Sequence, residues 1–180
     1  MGSRILVAGI GNIFLGDDAF GVEVLRRLAQ QPLPDGVRAV DFGIRGFDLA
    51  CAILDGYDAV ILVDACPRGG TPGTVYVIEP DLDSLTGGNT VQQLDGHSLN
   101  PARVLESVLA LGGPVPRLRL LGCEPTAFGS DEQPQMGLSP AVAEAVERAL
   151  PLLLSLVDEL SANDAPAAVM RKVRMAKEGV

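Results

Sequence analysis

Four features of this sequence gather side chains that could do chemistry. Asp17 and Asp18 form an adjacent acidic pair shortly after the glycine turn Gly9-Ile10-Gly11-Asn12. Asp64 closes the apolar run AVILVD, and His97, the only histidine of the chain, stands in Asp95-Gly96-His97-Ser98. One aspartate at a helix start is explained by capping of free N–H groups, and Asp17 is the expected cap. A second adjacent carboxylate exceeds what capping needs, which leaves Asp18 for a ligand. Asp64 is costly inside a sheet and is expected to emerge at the carboxyl end of its strand, where α/β folds bind ligands; the alternative is an Asx turn leading into Pro67. His97 ends a long patternless stretch just ahead of a capped helix, and its other reading is a solvated loop histidine.

Together Asp18, Asp64 and His97 offer two oxygen ligands and one nitrogen. That set suits a first-row dication such as nickel, zinc or manganese without choosing among them. Other chemistries fit less well. The glycine turn has part of a dinucleotide-binding GxGxxG, with Asp41 in the place of a ribose-binding acid. However, Phe14 stands where the third glycine belongs, and two carboxylates at the helix start would repel a pyrophosphate. GxxxxGK[ST], HExxH and GxSxG are missing from the sequence. A single histidine cannot serve both a nucleophilic triad and a metal. Cys51, Cys66 and Cys123 are each expected to be buried small hydrophobes rather than reactive thiols.

The elements that must position these residues alternate between strand and helix. Arg4–Ile10 reads as strand 1, followed by a helix from about Asp18 with Val22, Leu25 and Leu28 at helical spacing. Val37–Phe42 reads as strand 2, Phe47–Leu54 as a short helix, and Ala59–Ala65 as a fully buried strand 3. Cys66–Gly73 is too short to hold a crossover helix, so strand 4, Thr74–Ile78, is expected to run antiparallel to strand 3. Asn100-Pro101 opens a third helix through Leu111, Arg117–Gly122 is strand 5, and Ser139-Pro140 opens the last helix with Val142, Val146, Leu150, Leu153 and Val157 on one face. The connections Glu79–Leu99 and Glu124–Leu138 carry no pattern, and long connections of that kind in compact domains are commonly functional. The whole describes an α/β sheet covered by helices, one domain over residues 1–160, with a flexible tail over 161–180.

Composition narrows the partners. Of 180 residues 47% are apolar and 4% aromatic, so the core is built from Val, Leu, Ile and Ala, as suits parallel strands between helices. A formal charge of -9 argues against nucleic acid and against an anionic membrane surface, and leaves a protein partner open. Three widely spaced cysteines without a CxxC do not form a secreted disulfide framework, and no apolar run approaches a membrane span. A cytoplasmic, reduced protein is expected, and a monomer.

The segments GIGNIFLGDDAFGVEV (from Gly9), ILVDAC (from Ile61), DGHSLNP (from Asp95), GCEP (from Gly122) and GLSPAV (from Gly137), in that order, resemble the hydrogenase maturation endopeptidases that process nickel–iron hydrogenases. The resemblance covers about Ile5 to Leu160. It implies a three-layer α/β/α sandwich of the phosphorylase/hydrolase-like type, with a five-stranded mixed sheet in the order 2-1-3-5-4 and strand 4 antiparallel. It also implies an endopeptidase that removes a carboxyl-terminal extension from the hydrogenase large-subunit precursor after nickel insertion. Such enzymes are often classed as aspartic-type.

Carried over by motif, the family's acid–acid–histidine site falls on Asp18, Asp64 and His97, with nickel supplied by the precursor and the two aspartates as the catalytic pair. Substrate contacts fall on Gly43 and Arg45 in the turn FGIRG, which stands where many members carry a GG-containing turn. Asp18 replaces a frequent Glu, and Ala19 a frequent glycine. Two other readings share some of these residues: a metal-dependent amidase acting on a small substrate, and a nickel-binding maturation factor that cuts nothing.

Overall fold

Six consecutive apolar or small residues, Ile5–Ile10, form β1, and every one of them is buried. Such a strand has no solvent face, so it must lie inside a sheet covered on both sides. The computed structural model, which describes residues 3–80, 101–130 and 132–162, shows that arrangement. The other strands are β2 (Val37–Gly43), β3 (Ala59–Ala65), β4 (Val75–Ile78) and β5 (Arg117–Cys123). The helices are α1 (Phe20–Leu28), α2 (Gly46–Ile53), α3 (Pro101–Ala110) and α4 (Pro140–Ala162).

The sheet order is β2-β1-β3-β5-β4. β1 pairs in parallel with β2 and β3, and β3 with β5, while β4 pairs antiparallel with β5. The short Cys66–Gly73 connection does reverse the chain, but β5 is inserted between β3 and β4 rather than leaving them as neighbours. The expected order and the antiparallel edge are both present.

Side-chain alternation divides the core into two layers. Ile5 and Val7 of β1 and Ile61 and Val63 of β3 pack with Phe20, Val24 and Leu28 of α1 and with Val142, Val146, Leu153 and Val157 of α4. Leu6, Ala8, Val60 and Leu62 face the other way, against Leu49 and Ile53 of α2 and Val104, Leu105 and Val108 of α3. The result is a three-layer α/β/α sandwich. No helix among the described residues is long and apolar enough to cross a membrane.

One contact sets how closely α1 sits on the sheet. A Cβ added to Gly21 would lie 2.1 Å from the Val63 carbonyl oxygen and 2.3 Å from that of Ile10. Only a glycine lets the helix backbone rest on the carboxyl ends of β1 and β3, where Asp64 also lies. Because those atoms are backbone, they cannot yield to a methyl group. Gly21→Ala is therefore expected to destabilise the protein by about 3 kcal/mol, read as a lower urea midpoint at unchanged slope.

Candidate active site at the carboxyl edge of the sheet

The chain leaves β1 through Gly11, whose φ of 137° is open to glycine and strained for other residues. A Cβ there would meet the Asp18 carbonyl oxygen at 1.8 Å, so the returning turn lies directly against Gly11. That turn is a single 3-10 turn, Asp17–Ala19, leading into α1. Asp18 is 3% exposed, and its Oδ2 accepts the Asn12 N–H at 2.7 Å. This occupies a backbone donor that a phosphate would need, in line with the rejection of nucleotide binding. Burial raises the Asp18 carboxyl above its ordinary range, and the Asn12 hydrogen bond only partly opposes it.

Asp64 sits one residue before the end of β3, in register with Gly122 of β5, and is 4% exposed. Among the described residues its Oδ1 is the only buried side-chain nitrogen or oxygen without a hydrogen-bond partner. Burial first, and the charge of Asp18 second, push its carboxyl well above the ordinary range, while a hydrogen bond from the Ala65 backbone pulls weakly the other way. Asp18 and Asp64 are thus brought together at the carboxyl edge of β1 and β3, close enough to feel each other's charge. His97 lies outside the described residues, as does most of the Glu79–Leu99 connection. Among the described residues no three His, Cys, Asp or Glu side chains form a metal-sized group.

Gly43 ends β2 with a φ of 54°, and its carbonyl accepts the Gly11 N–H at 3.1 Å, which joins the two glycine turns. The Arg45 guanidinium is tied down by the carbonyls of Asp41 and Phe42 and pairs loosely with Asp48 at 3.7 Å. Gly43 and Arg45 line a groove of about 330 Å³ with Gly11, Asn12, Phe14 and Ile44.

Two expectations are corrected. Asp17 caps neither its own turn nor α1, for no side-chain cap bond is made at either start. Its carboxylate, 2% exposed, instead accepts the N–H of Thr126 at 2.8 Å, the N–H of Ser139 at 2.7 Å and the Ser139 hydroxyl at 2.9 Å. It therefore fastens the β1–α1 turn to both ends of the β5–α4 connection, including the residue that opens α4. Nor are all three cysteines buried: Cys123 is, Cys66 is half-buried and Cys51 is exposed on α2. Cys51 lies on the outer side of a short helix whose buried positions are Leu49, Ala50 and Ile53.

Sequence reasoning missed Glu124 as a structural actor. It is 4% exposed and accepts the N–H groups of Arg68 and Gly69 at 2.9 and 3.0 Å and the Tyr76 hydroxyl at 2.8 Å. Burial works to raise its carboxyl, but these donors together with the Gly70 N–H outweigh it and hold the group below the ordinary range. The available signal was its position: an acid two residues after Gly122 at a strand end, facing a glycine-rich connection.

The thiols are poorly suited to attack. Burial pushes Cys123 up to about 12 and also raises Cys66, so both stay protonated near neutrality. Replacing Cys51, Cys66 and Cys123 together by Ala is expected to preserve the rate of cleavage. The cost should be confined to stability, about 1–2 kcal/mol and mainly from Cys123. Iodoacetamide inhibition that one of these substitutions removes would show a working thiol instead.

Comparison with known proteins matches residues 22–156 to the family described as hydrogenase maturation protease. The chain is 32% identical to the hydrogenase 2 maturation protease of Escherichia coli, an alignment that covers 91% of this chain and 96% of that one. It is likewise 32% identical to the hydrogenase expression/formation protein HupD of Rhodobacter capsulatus, over 82% of this chain and 68% of the relative. Among solved structures, the hydrogenase maturating endopeptidase HybD from E. coli superposes with a TM-score of 0.72 at 32% identity, covering 87% of this chain and 93% of that one.

Proposed function

This chain belongs to the hydrogenase maturation protease family, and from that premise we propose that it removes the carboxyl-terminal extension of a nickel–iron hydrogenase large-subunit precursor once nickel is in place. The observation that carries this reading is the Asp64 carboxylate: buried, beside Asp18, and with one oxygen unpartnered among the described residues. A buried carboxylate with one oxygen left without a donor is unfavourable in the isolated protein. A cation brought by the substrate would relieve it. With His97 neutral, the two carboxylates present two negative charges for a dication, and carboxylate plus imidazole is a fitting donor set for nickel.

The chain needs only Leu111–Pro116 to pass from α3 to the start of β5, so α3 starts toward the carboxyl edge of the sheet. His97 precedes Pro101 by four residues in sequence, and this reading makes it the third ligand. In this reading the nickel belongs to the precursor, so an empty precursor binds poorly. Hydrolysis then uses a water activated by that metal or by one carboxylate as general base. Gly43 and Arg45, on the neighbouring groove, take up the extension.

The test is to incubate the protein with nickel-loaded precursor and weigh the products. Release of one defined carboxyl-terminal peptide is expected. Activity on small amides without any precursor would favour a metal-dependent amidase, and metal transfer without cleavage a maturation factor.

A further inference from the structure

Asp18 sits on the β1–α1 turn and Asp64 one residue before the end of β3, and that turn and the connection following β3 are each held by a further buried carboxylate, Asp17 and Glu124. Asp18 lies on the β1–α1 turn, which Asp17 fastens to Thr126 and Ser139. Neighbouring residues on so tight a turn point in different directions, so fixing Asp17 on one side fixes the rotation of Asp18 on the other. Three backbone hydrogen bonds reinforce the same junction: Gly16 N–H to Gln135 O at 2.6 Å, Gln135 N–H to Phe14 O at 2.9 Å and Gly129 N–H to Leu15 O at 3.1 Å. β3 ends one residue after Asp64, and Glu124 fastens the connection that follows through Arg68 and Gly69 and also binds Tyr76 of β4. Glu124 opens the same β5–α4 connection that Asp17 grips, and its backbone binds there too: its N–H donates to Thr74 O and its carbonyl accepts from Gly73, both at 2.8 Å.

We propose that Asp17 and Glu124 are positioning residues which, by fastening the turn that carries Asp18 and the connection that follows β3 to one segment, the β5–α4 connection, tune the separation of Asp18 and Asp64. This rests on the reading that those two acids grip the precursor's metal. Two like charges in a buried place repel, and the brace adds to the β1–β3 ladder and the Asn12 N–H that also position them. A brace made of multiply hydrogen-bonded carboxylates resists that repulsion where a mobile loop would not.

Asp17→Asn places an amide N–H₂ against a backbone donor, and Glu124→Gln does the same against Arg68 or Gly69. Ser139→Ala and Tyr76→Phe are milder, each removing one hydroxyl donor and leaving the backbone donors in place. The experiment measures kcat and KM on nickel-loaded precursor for wild type and these four variants, at a temperature where each is fully folded by circular dichroism. It also measures the affinity of each metal-free protein for Co²⁺ as a probe of the acids' spacing. A small misplacement of reacting groups costs up to about 100-fold in rate, so kcat is expected to fall about 10- to 100-fold in the two carboxylate variants and about 3-fold in the hydroxyl variants. Because the same acids dock the precursor through its metal, KM should rise as well, and Co²⁺ should bind more weakly in step with kcat.

Wild-type kcat in folded Asp17→Asn and Glu124→Gln would overturn the proposal. If either fails to fold, unchanged kcat and Co²⁺ affinity in Ser139→Ala and Tyr76→Phe would do so. If wild type itself leaves the precursor uncut, the functional reading fails, and the Co²⁺ affinities alone decide on the brace. With neither cleavage nor Co²⁺ binding in wild type, both fall.

Discussion

Asp64→Asn is expected to yield a folded protein that cleaves nickel-loaded precursor at less than about one-thousandth of the wild-type rate, and that is no less stable than wild type at pH 7. The first half follows from removing one of the two charges that grip the metal in the proposed reading. The second follows from linkage. In the folded, metal-free protein the Asp64 carboxyl is raised well above its ordinary value, by burial and then by Asp18. The folded state therefore keeps that proton to higher pH than the unfolded chain does, and stability falls as pH rises from the ordinary carboxyl range through the folded-state value. Asparagine has no charge to bury, so the substitution removes this loss. The melting temperature of Asp64→Asn should equal or exceed that of wild type at pH 7, and the gap should close towards pH 3, where Asp64 is protonated in both states. Thermal melts across pH beside a cleavage assay check both halves. A folded variant that still cleaves would remove Asp64 from the mechanism, and a variant that melts far below wild type at pH 7 would mean that its carboxylate is held by partners in the native state. His97→Ala is expected to share the loss of cleavage.

That Asp64 stands at the carboxyl end of its strand was legible because burial of a charge is costly wherever the strand goes. The same reasoning located the strands: AVILVDA and RILVAGI can only be central, and the short connection after Cys66 forced a reversal. Asp17 was legible as unusual but not as what it is. A helix-start aspartate looks the same in sequence whether it caps its own turn or reaches partners 109 and 122 residues away, and local spacing carries no trace of the second case. Glu124 carries no local sign of its role beyond its place in GCEP, since its backbone partners come from a connection 55 and 56 residues earlier. The Glu124–Leu138 stretch, patternless to periodicity, is laced to the site turn by hydrogen bonds that follow no repeat. Cys51 erred in the opposite direction. The run GFDLACAI is apolar enough to suggest burial throughout, but a helix packed on one face of a sheet leaves its other side to water.

The largest effect is expected from changing which partner carries the metal. Metal-stripped protein mixed with nickel-loaded precursor should cut, and nickel-soaked protein mixed with empty precursor should not. In the proposed reading Asp18, Asp64 and His97 supply three ligands at most, and no further His, Cys, Asp or Glu among the described residues completes a closed site with the two aspartates. A three-ligand site is typical of ions that keep a position for another ligand. A precursor that already holds nickel brings the remaining ligands with it, so binding of metal and docking of the scissile extension become one event. Discrimination then comes from binding free energy: without the dication, the two carboxylates meet the precursor as uncompensated charges, and each 1.4 kcal/mol so lost lowers occupancy about 10-fold. Loss of even a few such steps takes cleavage of empty precursor below detection. The reading is decided by mass spectrometry of the two mixtures, with the metal content of each protein measured before mixing. If nickel-soaked protein cuts empty precursor while metal-stripped protein leaves the loaded one intact, the ion belongs to the protease, and the site works as that of a metalloprotease rather than as a check on the cargo of its substrate.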